Sequence, residues 1–187
     1  GVTDAEIEVA AVSKVTGESA LTGVYKAFEA NGVQLDAKRT EVAQQELEVT
    51  NKIAQENANQ KGFDSSKLDK AMIEIKKELA QLKQKQGQLA TKEDIERIIN
   101  DALKNNSLQN VISKDQINAL VAFAQNYQNT SAIDSKQVLE QLNSLSKSVG
   151  EKINSLVEQA KNEGWLDKIA QFFTSIFENI KNLFNQQ

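Results

Sequence analysis

The sequence is 187 residues long, 40% apolar and formally −4 at pH 7, which suits one domain, or one domain with a smaller appendage. The acidic surplus lies in residues 1–62, with 10 acids against 6 bases, while 63–187 carry 16 of each, so no basic stripe invites nucleic acid. Cys and His are both absent, which removes thiol nucleophiles, imidazole acid–base catalysis and the usual zinc and copper ligands. No cofactor or metal is expected. Pro is absent too, so helices are interrupted only by Gly and polar clusters. An opening on Gly1 instead of Met is what a mature, trimmed chain without its signal peptide would present.

In chain order, Glu6–Thr16 alternates and is rich in β-branched residues, as a short strand or extended arm would be. Its one candidate pairing partner is Leu108–Ile112. After Gly17, Ser19 can cap a helix that places Leu21, Val24, Tyr25 and Phe28 on one face, closed by Asn31-Gly32. Asp36 opens a longer helix with a looser stripe of Val42, Leu47, Val49, Ile53 and Ala54, ending near Gly62. These segments form an expected N-terminal unit, 1–62. The remainder, 63–187, is expected to be a helical bundle that ends in an amphipathic aromatic helix.

Asp64 or Ser65 starts the next helix, in which Leu68, Met72, Ile75, Leu79 and Leu82 follow a 4-3-4-3 spacing. That is an a/d seam over about two heptads, the mark of a coiled-coil-like contact with one facing helix. A hairpin within the chain is favoured, because sustained coiled coils need about three or four heptads. The seam's expected partner is the helix after Asp134, with Val138, Leu142, Leu145, Val149, Ile153 and Leu156 on one side. Between them, Thr91-Lys92-Glu93-Asp94 and Ser113-Lys114-Asp115-Gln116 each read as a capping box ahead of an apolar periodic run. The whole predicts an all-α, elongated helical bundle with one long heptad helix and a single candidate strand pair.

The C-terminal run holds the sole Trp and four of the seven Phe. Wound as a helix, Trp165, Leu166, Ile169, Phe172, Phe173, Ile176, Phe177, Ile180, Leu183 and Phe184 fall within an arc of roughly 140°. Burying such a face is worth about 1.5–3 kcal/mol per side chain, so something is expected to cover it. The default cover is the core of the chain itself. The other candidates are a protein partner, a second copy and a membrane surface. Asp167, Lys168, Glu178 and Lys181 interrupt the run, and at about 2.5–3.5 kcal/mol per central charge it is not a transmembrane helix. The helix could still lie in the lipid interface.

Carboxylate groups such as Glu93/Asp94/Glu96 and Glu46/Glu48 would be the raw material of a hydrolase. The first group sits at a helix start, where acids favour the dipole, and the second suits a solvated face. The leading expectation is therefore a non-enzymatic interaction protein with no catalytic residues, and the hydrolase trails it.

Val15-Thr16-Gly17-Glu18-Ser19-Ala20-Leu21-Thr22-Gly23, followed by Tyr25-Lys26-Ala27-Phe28-Glu29, resembles the opening of a family of bacterial secreted proteins, domain of unknown function 1002. Ser113–Asn118 and the Phe-rich tail from Trp165 are similar to later segments of that family. The resemblance implies export from a Gram-positive cell, to the medium or the cell surface. It implies no catalytic residues.

Overall fold

The structure, a computed structural model, describes the backbone of residues 17–160 and the side chains of 21–150. Among the described residues six α-helices follow in order: α1 (Gly17–Ala30), α2 (Ala37–Asn57), α3 (Ser65–Gln86), α4 (Lys92–Asn105), α5 (Lys114–Gln128) and α6 (Lys136–Ala160). A 3-10 turn, Ser131–Asp134, joins the last two. The fold is mainly α-helical, with no strand among the described residues. The chain divides into two compact units at Val149/Gly150.

The helix starts and stops follow the local chemistry. Asp36 caps α2, its Oδ1 accepting the N–H groups of Lys38 at 3.0 Å and Arg39 at 3.2 Å. Asp64 caps α3 by accepting the Ser66 N–H at 2.8 Å. Thr91/Asp94 and Ser113/Gln116 both close full capping boxes, as their sequences predict. α3 stops at Gly87, whose φ of 69° is left-handed. One start differs: α1 begins at Gly17, two residues ahead of Ser19.

The segment Leu108–Ile112 is no strand. It winds through consecutive turns, with the N–H groups of Val111 and Ile112 donating to the Leu108 carbonyl at 3.0 and 3.1 Å. Leu108 and Ile112 are buried in the helical core, so their apolar character serves packing and not a β ladder. The Glu6–Thr16 arm lies outside the described residues.

α3 is the central helix. Leu68, Met72, Ile75 and Leu79 are buried as the heptad spacing predicts, but Ala71, Ile73 and Ala80 are buried beside them. These extra positions widen the seam into a broad face. Its main neighbours are α4, α5 and the 3-10 turn, with α2 alongside, and the expected two-helix pairing with Val138–Leu156 gives way to this arrangement. From α6, Leu142 is buried and Leu139 packs on the core, whereas Leu145 is 50% exposed. α4 contributes Ile95, Ile98, Ile99, Ala102 and Leu103, and α5 contributes Leu120, Val121, Phe123, Ala124 and Tyr127. Val42 and Ile53 of α2 enter the same core. Gly62, where the sequence suggested the end of an N-terminal unit, sits in the turn between two helices that share this core, with a left-handed φ of 93°.

Candidate functional site

All nine residues of the candidate contact face, Trp165, Leu166, Ile169, Phe172, Phe173, Ile176, Phe177, Ile180 and Phe184, lie outside the described residues. What the described residues do form is a groove of about 310 Å³ framed by α2, α3, α5, the 3-10 turn and the first turns of α6. Its lining mixes Arg39, Glu46, Lys76 and Tyr127 with Val42, Ala132, Val138, Leu142 and Leu145.

The helical repeat explains the placement. Arg39, Val42, Ala43 and Glu46 recur at three- and four-residue spacing along one face of α2. Val138, Gln141, Leu142 and Leu145 do the same on α6. Lys76 projects from α3 and closes an ion pair with Glu46, Nζ to Oε1 at 2.6 Å. Both partners are largely shielded, with 14% and 28% of their side chains exposed, so water screens this pair less than a surface one.

Tyr127 is 5% exposed and stacks on Phe123, ring centroids 6.0 Å apart. Burial, and next the Glu46 carboxylate, push its hydroxyl up to about 12, while the Arg39 guanidinium pulls the other way. The hydroxyl therefore stays protonated as a donor at neutral pH. Its oxygen and the Arg39 Nε are both buried, and neither has a hydrogen-bond partner. Asp69 of α3 stands near the same ion pair. Although it reaches solvent, packing around its carboxyl raises its pKa, and Glu46 and Asp64 add to the effect against the opposing pull of Lys76.

Three of the carboxylates that a hydrolase would recruit are held in hydrogen bonds or ion pairs. Asp94 accepts the Thr91 hydroxyl at 2.9 Å and an Arg97 N–H at 3.2 Å, which holds its carboxyl below the ordinary range. Glu96 faces Lys92 at 3.7 Å, Glu46 is taken up by Lys76, and Glu48 is exposed. Sequence reasoning did not single out Arg39 or Lys76. Both look like ordinary solvated helix positions, and only the crossing of α2, α3 and α5 brings them together. None of the described helices is long and apolar enough to cross a membrane.

Residues 1–145 match the family described as Protein of unknown function (DUF1002). The match runs through Leu145 and so takes in the whole groove, while the aromatic tail lies beyond it. The chain is also 32% identical over 188 residues to "Uncharacterized protein YpuA" of Bacillus subtilis (strain 168), an overlap of 98% of this chain and 58% of that relative. The chain thus spans a little over half the length of the curated relative it matches. No solved structure matches it. With the family match covering the described core from α1 into α6, the chain belongs to the DUF1002 family.

Proposed function

We propose that this chain is a non-enzymatic interaction protein, exported or held at the surface of a Gram-positive cell, and that residues 165–184 are its contact element. The observation that carries this reading is the amphipathic pattern of that run. Wound as a helix, its ten large apolar side chains would share one arc of roughly 140°, opposite Asp167, Gln171, Thr174, Ser175, Glu178, Asn179 and Asn182. A face of that size calls for a cover. The structural duties of Asp94, Glu96 and Glu46 lend further support over the hydrolase. The Bacillus subtilis relative supports the Gram-positive assignment, which a blot of cell, wall and medium fractions tests directly.

Trp165, the sole indole, reports on the contact element itself. On a protein-contact face its emission is red-shifted in buffer and stays red when liposomes are added. A membrane element, the second reading, starts red and shifts blue with liposomes, and the same apolar arc favours it. Blue emission that is indifferent to liposomes means that the run is covered by the chain itself, and overturns both.

A further inference from the structure

We propose that the groove framed by α2, α3, α5 and α6 is a binding site for a small amphiphilic carboxylate, its head held by Arg39 and Tyr127 and its aliphatic part lying along Val138, Leu142 and Leu145. This site stands apart from the aromatic run and does not depend on it.

Three observations converge. The first is an unmet demand for an acceptor. The Tyr127 hydroxyl and the Arg39 Nε–H are donors, both buried and both without a partner. Buried donors are rarely left in that state, because each forfeits about 1–3 kcal/mol of hydrogen bonding it had in water. One acceptor group that meets both relieves two penalties at once. A carboxylate suits them, since a guanidinium is matched to its planar pair of oxygens.

The second observation is charge. The ionisable lining consists of Arg39, Lys76 and Glu46, two cations against one anion, which leaves +1. Lys76 and Glu46 neutralise each other at 2.6 Å, so the remaining charge sits on Arg39. Asp36, whose carboxylate also acts on Arg39, accepts the Ser131 hydroxyl at 2.7 Å and the backbone N–H groups at the start of α2; these hold it in its charged form, so it offsets part of the Arg39 charge. With Asp36 beside Arg39 and Asp69 near the Lys76–Glu46 pair, no large positive surplus remains, and a carboxylate meets less repulsion there than a phosphate dianion would.

The third is the wall. Leu145 is 50% exposed beside the buried Leu142, and both line the groove together with Val138 and Ala132. Polar head contacts alone give this apolar strip nothing to do. An aliphatic chain laid along it removes Leu145 from water. The groove's volume of about 310 Å³ lies within the size range of small-molecule sites. Because both donor atoms are shielded from solvent in the free chain, binding requires the partly buried Arg39 side chain to rotate about its own torsions.

The test titrates the full chain with octanoate, with 1-octanol and octylammonium as uncharged and cationic controls, by calorimetry and by chemical-shift mapping. Octanoate is expected to bind with shifts confined to the groove, and the two controls are not. Tyr127→Phe removes a hydroxyl that has no partner in the free protein, so it should fold normally yet weaken octanoate by about tenfold or more. Arg39→Lys keeps the charge but loses the Nε–H, and should weaken binding to a comparable degree. Octanoate that fails to bind at millimolar concentration overturns the proposal. So does octanol that binds as well as octanoate, or binding left unchanged in both variants. None of these outcomes bears on the emission of Trp165, so the two readings fail separately.

Discussion

At the scale of single residues, the best-defined polar device is the amide of Gln128. Its Oε1 accepts the Ala90 N–H at 2.9 Å and its Nε2 donates to the Ala90 carbonyl at 3.2 Å, both within the buried interior. One side chain thereby satisfies both backbone groups of the residue that leads into α4. Gln128→Leu leaves that pair unmet, and the chain should lose about 2 kcal/mol or more, read as a lower denaturant midpoint with an unchanged slope. Backbone conformation supplies a second case. Ser107 follows α4 at a φ of 58°, while the Leu108 N–H reaches back to the Leu103 carbonyl at 2.7 Å. This is the work of a helix-terminating Gly done by a Ser, and Ser107→Gly should stabilise by up to about 1 kcal/mol. Gly87 is the converse. A Cβ there would meet nothing within 4 Å, so Gly87→Ala should cost about 1 kcal/mol through its φ of 69° alone. The Gly87 stop was legible, because a Gly five residues past Leu82 ends the periodic run of α3. Ser107 and the Gln128 clamp were not, since both depend on the chain's return.

At the scale of elements, periodicity and caps announced every described helix, and the error lay in choosing partners. Heptad spacing marks which residues of α3 are buried but not how many helices face them. Ala71 and Ala80 settle that question, because small side chains let neighbours approach closely on both flanks of the seam. Ala is also a favourable residue anywhere in a helix, so its packing role left no separate trace in the sequence. Ile75, at 1% exposure, is the central test. Ile75→Asp places a carboxylate in the buried apolar core and should destabilise by several kcal/mol. Ile75→Val deletes one methylene and should cost about 1 kcal/mol. A thermal melt that ranks the wild type above Val, and Val far above Asp, confirms that the seam is interior. The groove was harder to foresee than the core. Its residues come from five elements that meet by packing, and the spacing of Arg39, Val42 and Glu46 on α2 is that of any amphipathic surface.

For the whole molecule, composition and the shifted groups together dictate how stability depends on pH. With neither His nor Cys, no side-chain type in the sequence has an ordinary pKa between about 5 and 9. Asp36 and Asp94 titrate below their ordinary value, held there by their hydrogen bonds to Ser131 and Thr91. Their contribution is therefore complete above the unfolded carboxylate range and is lost as pH falls through the lower folded values. Asp69 runs the other way. Its folded pKa is raised, so folding gains from its proton at low pH, and that gain disappears as pH rises through the folded value. Asp69→Asn should accordingly raise the melting temperature at neutral pH, where the wild type holds an unfavourably packed carboxylate. In alkali the tyrosines decide. Burial raises Tyr25 as well as Tyr127, the latter to about 12, so the folded chain keeps protons that the unfolded chain releases near pH 10. Stability is then full below about pH 10 and falls as pH climbs through 12. Melting temperatures measured across this range should show a plateau from about pH 7 to 9, an acid limb, and an alkaline limb that Tyr127→Phe flattens. An alkaline limb unchanged in Tyr127→Phe would place the burden on Tyr25, whose hydroxyl donates to the Thr40 carbonyl at 3.4 Å. Tyr25→Phe then separates the two, because it removes one α1–α2 hydrogen bond and leaves the α5 core intact.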